Sequence, residues 1–223
     1  MSLNRPEEAG FISRKAFDEA CQALALCSGL WSSDMSLETR RHGEHQYLKI
    51  IRLLSTNVNP PAPSDSAKLF SAAQDSHESS NIEEEDEDVA IYHSPPSLTV
   101  SSVEYHILPS TSYRVPVLYF FLHNLPPSIL QSIDFVYEKL VPKHLQSGVR
   151  NAGVMGGISM TNHPLTDIPC FWVHPCNSAE AMQNILGGIK GEVSPVKYMI
   201  LWIGIVGSVV GLSLPKEIFS ARP

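Results

Sequence analysis

A chain of 223 residues with 43% hydrophobic and 17% charged side chains can bury a substantial core, which excludes disorder along its whole length. Its 16 Lys and Arg against 23 Asp and Glu leave a net charge of -7, and no basic stripe interrupts the sequence. Nucleic-acid binding is therefore not expected, because phosphates are engaged by Lys and Arg that displace their counterions.

The four cysteines, Cys21, Cys27, Cys170 and Cys176, lack the dense spacing of small disulfide-stapled secreted domains. The start "MSLNRPEEAGFISRK" carries no apolar core of signal-peptide length behind a basic end. Both features point to a reducing, cytoplasmic location. Length and composition fit one domain over 1–223, with a flexible acidic, Pro- and Ser-rich insertion at about 55–97.

In chain order, "FISRKAFDEACQALALC" repeats Ile12, Ala16, Ala20 and Leu24 at helical spacing, with Phe17 and Cys21 on the same stripe, and predicts an amphipathic helix. Cys21 and Cys27, six apart, match no common metal-ligand spacing and read as small core residues. "HQYLKIIRLL", residues 45–54, is rich in β-formers and reads as a strand. The stretch from Ser55 to Ser97, with "NPPAPSDS" and "IEEEDED", holds too little apolar area to offset the entropy of ordering it. Its acidic run Glu83 to Asp88 reads as a solvated loop.

"SLTVSSVEYHILPSTSYRVPVLYFFL" places two β-rich runs around "PSTS", a turn signal, and predicts a hairpin. Pro116 has no ladder donor, so the second strand is expected at a sheet edge or bulged there. "PPSILQSIDFVYEKLV" aligns Ile129, Ile133, Val136 and Leu140 on one helical face. "QSGVRNAGVMGGISMTNHPLTDIP" reads as a glycine-rich loop without the phosphate-binding pattern. "CFWV" is a short strand, "NSAEAMQNIL" a short helix ended by Gly187 and Gly188, and Ser194 with Pro195 opens a last helix. Tyr198 to Leu214 carries no charge over a length near the lower limit of about 17 residues for a membrane span. Three glycines, two serines and flanking Lys197 and Lys216 favour a buried core helix followed by an extended segment.

Cys176, in "FWVHPCNSAEAM", lies between the strand and the short helix. Asn177 is placed to cap the helix, and Glu180 three positions later to reach back to the cap's own amide. Unpaired amides and the positive end of a helix dipole favour a thiolate over a thiol. His174, two residues away along an extended chain, is too far for a direct Cys/His pair and reads as a buried imidazole that fixes the turn, stiffened by Pro175. A metal site of Cys170, His174 and Cys176 would lack a fourth ligand and matches no usual zinc spacing. These local signals leave two readings of Cys176 open, an inert thiol and a nucleophile.

Four segments in order, "EYHILPSTSYRVPVLYF", "NHP", "FWVHPCNSAEAM" and "YMILWIGIVGSVVGLSLP", spanning roughly Val103 to Pro215, resemble the autophagy conjugating enzymes of the autophagy-related protein ten family. The set is more specific than the HPC motif alone, which a related conjugating enzyme for a lipid-linked modifier also carries. The resemblance implies an α/β (α+β), ubiquitin-conjugating-enzyme-like fold, a curved antiparallel sheet flanked by helices. It implies an enzyme that takes the modifier autophagy-related protein twelve from the activating enzyme, autophagy-related protein seven. The modifier is held as a thioester and passed to a lysine of autophagy-related protein five. No cofactor or metal is implied.

By match to the HPC motif, Cys176 would form the thioester. Ordinary ubiquitin-conjugating enzymes carry an HPN motif whose asparagine supports the oxyanion, and here the cysteine occupies that place, so a donor must come from elsewhere. Asn162, in "NHP", is the candidate, with a plain turn residue before Pro164 as its other reading. Tyr119 on the "VLYF" strand is a candidate for orienting the loop or the lysine, and equally a core tyrosine. The edge at "SYRVPVLYF" would suit strand addition by the protein substrate. Two other functions stay open, a cysteine hydrolase with His163 as its base and a noncatalytic adaptor on a conjugating-like fold.

Overall fold

The computed structural model describes residues 10–27, 31–54, 100–151, 157–189 and 191–220. The chain divides into two units, one of Met1–Leu54 with Val100–Pro223 and one of Ser55–Thr99. The second unit, and with it the insertion expected at about 55–97, lies outside the described residues.

The helical period of the N-terminal run becomes α1 (Arg14–Leu26), capped by Ser13, whose Oγ accepts the Ala16 N–H. Its stripe of Ala16, Phe17, Ala20, Cys21 and Leu24 is buried, as the spacing requires. Next come β1 (Met35–His42) and β2 (His45–Leu53), joined by the two-residue loop Gly43–Glu44. β1 is an addition to the elements expected from sequence. Its signal was the glycine-bearing two-residue turn ahead of β2, in which Gly43 has a φ of 58°.

The predicted hairpin is β3 (Ser102–Pro109) and β4 (Pro116–His123). The helix expected over Pro126 to Val141 is two helices, α2 (Pro127–Leu130) and α3 (Ile133–Lys139). Ser132 between them is extended, and its Oγ accepts the Phe135 N–H, so the serine caps a new helix instead of continuing the old one.

The expected glycine-rich loop is only partly a loop. Its first residues, from Gln146, belong to α4 (Lys143–Asn151), and it contains β5 (Ile158–Asn162). Gln146 donates to the carbonyls of Tyr137 and Val141 near the end of α3, which ties the start of α4 down. β6 (Pro169–Val173) leads through a 3-10 turn at Pro175–Asn177 into α5 (Ser178–Gly187), and α6 (Pro195–Val206) and α7 (Lys216–Ser220) follow.

The strands form one antiparallel sheet in the order β1-β2-β3-β4-β6-β5. The expectation of β4 as an edge is therefore corrected, since β4 runs between β3 and β6. Pro116 is tolerated because it is the first residue of the strand, opposite Pro109 and outside the stretch Leu118–Phe120 that pairs with β6. Strand addition at β4 is excluded along that paired stretch.

One face of the sheet contributes Leu48, Ile50, Val103, Tyr105, Ile107, Leu118, Phe120, Phe171 and Val173 to the core, which α1 and α6 complete. The uncharged C-terminal run is the buried helix expected of it, with Tyr198, Met199, Trp202 and Ile203 fully enclosed. No helix among the described residues is long and apolar enough to cross a membrane. Two buried phenols fasten this layer: Tyr105 donates to the carbonyl of Val210 and Tyr198 to that of Gly10, each at 2.9 Å.

The run after α6 turns at Gly211, whose φ is 68° and whose carbonyl accepts from Arg52 Nη1. A Cβ there would stand 2.8 Å from the Leu140 carbonyl oxygen and 3.0 Å from Arg52 Nη1. Gly43 has a similar φ but open space around it. Gly211→Ala is expected to cost about 2–4 kcal/mol and Gly43→Ala only about 1–2 kcal/mol, since both pay for left-handed backbone and only the first is also overpacked. Urea denaturation of the two variants measures the difference.

Candidate active site

Residues i and i+2 of a strand share a face, so Cys170, Trp172 and His174 lie on the side of β6 opposite Phe171 and Val173. On that outer face the register sets Lys49, His106, Tyr119, Trp172 and Ser159 directly opposite one another, one residue from each strand from β2 to β5. The Trp172 indole N–H donates to Ser159 Oγ at 2.6 Å, and its ring stacks on Tyr119 with centroids 6.2 Å apart and planes at 13°.

His174 continues this face beyond the end of β6. Its ring lies 4.9 Å from that of Trp172 and 5.9 Å, edge-on, from that of Tyr113 in the β3–β4 turn. Its own N–H donates to the Gly157 carbonyl, and its Nδ1 accepts the N–H of Cys176 at 3.2 Å. The imidazole thus serves as the cap of the 3-10 turn, as a turn scaffold would, though it is half-buried rather than enclosed. Pro175 takes the first helical position, where a missing N–H costs nothing, and is buried.

The expected cap at Asn177 is corrected. Asn177 has helical backbone angles, φ -94° and ψ -4°, and its side chain makes no capping bond. The chain already turns helically from Pro175, so the cap falls to His174, and Cys176 sits inside the first turn rather than ahead of it. The Asn177 side chain lies against the thiol instead, with the Cys176 S–H donating to its Oδ1 at 3.4 Å.

Asn162 is not brought to this site. It closes β5 opposite Pro169, whereas Ile158 at the other end of β5 faces Val173, so it lies about 13 Å along the strand from the end that leads to Cys176. Its Nδ2 donates to Asp167 Oδ1 at 3.0 Å within the tight turn joining β5 to β6. The turn-residue reading describes that position. Tyr119 stacks on Trp172, which in turn touches His174. Half-buried, its phenol is pushed up to about 12 by burial. It also lines a surface hollow of about 260 Å³ with Arg14, Thr111, Pro164 and Leu165.

His163, the candidate base of a hydrolase, has both ring nitrogens engaged, Nε2 with His106 and Nδ1 with Leu165 and Thr166. No group of His, Cys, Asp and Glu among the described residues could hold a metal ion. Sequence reading passed over Trp172, the link between Tyr119 and His174, although the alternation in "CFWVH" already put all three of Cys170, Trp172 and His174 on one face.

The family model described as "Autophagocytosis associated protein, active-site domain" matches residues 16–217. The chain belongs to this family. Proteins named "Ubiquitin-like-conjugating enzyme ATG10" are similar to it. That of Gibberella zeae is 39% identical over 137 residues, covering 60% of this chain and 55% of the relative. That of Homo sapiens is 38% identical over 119 residues, covering 52% and 51%, and that of Arabidopsis thaliana 30% identical over 122 residues, covering 52% of each. The matched stretch thus spans about half the length of these relatives. The six-stranded antiparallel sheet with its helices is consistent with a ubiquitin-conjugating-enzyme-like fold.

The four cysteines differ in accessibility. Burial pushes the Cys21 thiol far up and the Cys170 thiol up to about 12, while Cys27 and Cys176 are half-buried. Brief iodoacetamide treatment of the folded protein is therefore expected to label Cys176 and Cys27 at least about tenfold faster than Cys21 and Cys170, as read by peptide mass spectrometry.

Proposed function

We propose that this protein is a ubiquitin-like-conjugating enzyme of autophagy that carries its modifier on Cys176. The observation that carries the reading is the seating of that thiol. It stands, half-buried, on the first turn of a helical run, fixed by the bond from its own amide to His174 and set within a domain matched by the family's active-site model. The modifier is read as autophagy-related protein twelve, its donor as the activating enzyme autophagy-related protein seven, and its acceptor as a lysine of autophagy-related protein five. The family resemblance carries these assignments, and the names of the similar proteins support the coarser role of a ubiquitin-like-conjugating enzyme. The unpaired state of all four cysteines is in keeping with a reducing, cytoplasmic setting.

The chemistry asks for few groups. The Cys176 sulfur attacks the thioester carbonyl between modifier and activating enzyme, a new carbon–sulfur bond forms, and the old one breaks to release the activating enzyme's thiol. The neutral amine of the acceptor lysine then attacks the same carbon, the carbon–sulfur bond to Cys176 breaks, the proton lost by the amine restores the Cys176 thiol, and an isopeptide bond remains. Because a thioester is already activated, positioning the amine and stabilising the passing oxyanion supply most of the acceleration. The carboxamide in contact with the thiol is that of Asn177, and its N–H groups are the donors this reading assigns to the oxyanion. Tyr119 and the hollow it lines would receive the acceptor lysine.

Mixing the protein with activating enzyme, modifier and ATP and running a nonreducing gel tests the reading. A thiol-sensitive adduct is expected that is lost in Cys176→Ala and kept in Cys170→Ala. An adduct that survives Cys176→Ala would sink the assignment, and partner binding with no adduct at all would point to a noncatalytic adaptor. In single-turnover discharge of the loaded protein, Asn177→Ala is expected to slow transfer about 10²-fold, as loss of an oxyanion donor does, while Asn162→Ala changes it less than about twofold.

A further inference from the structure

The outer face of the sheet holds a second cluster that the transfer chemistry does not use. His163, 1% exposed, projects from the β5–β6 turn onto the sheet beside His106, 6% exposed. The two rings meet with His163 Nε2 and His106 Nδ1 3.1 Å apart. His106 Nε2 lies 2.7 Å from Glu104 Oε1, which Lys49 Nζ also meets at 2.9 Å. At the other end the Leu165 N–H points to His163 Nδ1 at 3.4 Å, and the Thr166 hydroxyl lies 3.2 Å from the same atom.

The ends of this chain fix every proton in it. A backbone N–H can only donate, so His163 Nδ1 accepts and its proton resides on Nε2. That proton is given to His106 Nδ1, which leaves the His106 proton on Nε2, directed at the Glu104 carboxylate. The His163 imidazole is thereby held neutral. A further proton on either would set one N–H against another, at His106 against His163 Nε2–H and at His163 against the Leu165 amide. Burial, aided by the positive potential of His42, holds His163 down at about 4. Although burial pushes the Glu104 carboxyl up, hydrogen bonds from His106 and Lys49 outweigh it and hold the group down at about 2. The remaining titratable groups facing the pair are Tyr47 on β2, Tyr119 on β4 and His123, whose Nε2 lies 3.3 Å from Glu104 Oε2, with Asp167 on the turn itself.

The cluster is joined to the candidate nucleophile by contacts between rings. His163 meets Tyr119 edge-on at 5.4 Å, Tyr119 stacks on Trp172, Trp172 touches His174, and His174 holds the Cys176 amide. We infer that His163, bonded to His106, is a positioning residue that locks the β5–β6 turn onto the sheet only while its ring is neutral, and that this lock seats the Cys176 turn. The pair makes the seating of Cys176 sensitive to acid. When the turn lifts, His163 returns to an ordinary histidine value of about 6.5 and takes up a proton. The closed turn binds that proton only near pH 4, so closure is fully favoured above about 6.5 and is progressively lost as pH falls from there towards 4.

The link to transfer rests on the function proposed above, but the lock can be read without the modifier, so the two can fail separately. Histidine long-range ¹H–¹⁵N spectra of the unaltered protein at pH 7.5 are expected to show both rings protonated on Nε2 and bare at Nδ1. Amide exchange, corrected for its intrinsic pH dependence, should show protection at Cys176 and across Asn162–Ile168 falling together by about tenfold or more from pH 7.5 to 5.0. His163→Phe, which keeps ring packing on Tyr119 and cannot titrate, should remove that pH dependence at Cys176. If the protein loads the modifier, the same variant should also flatten the acid side of the discharge profile. A proton on Nδ1 of either ring at pH 7.5 overturns the proposal, as does a turn that loosens in acid while Cys176 stays equally protected. Both tests use the unaltered protein and decide the matter even if His163→Phe does not fold.

Discussion

β6, the strand that ends immediately before the HPC turn, is fastened to the rest of the sheet by a ladder of three pairs, Leu118 with Val173, Tyr119 with Trp172 and Phe120 with Phe171. The side-chain period of a strand is two, so a slip of one residue in this ladder would carry Phe171 and Val173 out of the core and turn Trp172 into it. The stacking of Phe120 on Phe171 on the core side, at 5.3 Å, and of Tyr119 on Trp172 on the outer side holds the register from both faces. Everything that places Cys176 follows from that register, because His174 inherits its face from Trp172 and the cap of the 3-10 turn inherits its position from His174.

The two faces of the sheet are stabilised by different physics. The inner face is a packed apolar layer in which side chains from six strands and the long helices exclude water, and area burial dominates. The outer face presents the polar and aromatic side chains of the strands. It is organised instead by cross-strand aromatic contacts and by one buried polar chain from Lys49 to the Leu165 amide. This accounts for β3, which is buried on both sides even where a sheet with one solvated face would show alternation. The β5–β6 turn covers His106, and His106 in turn needs the polar partners that the turn brings.

Several elements were legible before any coordinates. The stripe in α1, the β3–β4 hairpin around "PSTS", and the start of α6 at Ser194–Pro195 are local patterns whose hydrogen-bond partners lie within a few residues. The departures have local physical reasons as well. Ser132 divides a continuous apolar stripe because its hydroxyl competes for a backbone amide, and Pro116 signals a strand start as readily as an edge. The capping signature at Asn177 and Glu180 pointed to the right helix but the wrong cap, since a proline at the first position lets the preceding histidine take that role.

The sequence by itself determined the composition of the core, most of the elements and the helix start beneath Cys176, because periodicity, caps and turn residues act over a handful of positions. Only the tertiary structure decided which side chains share the site. Asn162 and His163 are neighbours in sequence, yet the register takes one to the far end of a strand and the other onto Tyr119. The pairing of β4 with β6, whose partners lie more than fifty residues apart in sequence, brings the turn to Tyr119, and no local pattern encodes it.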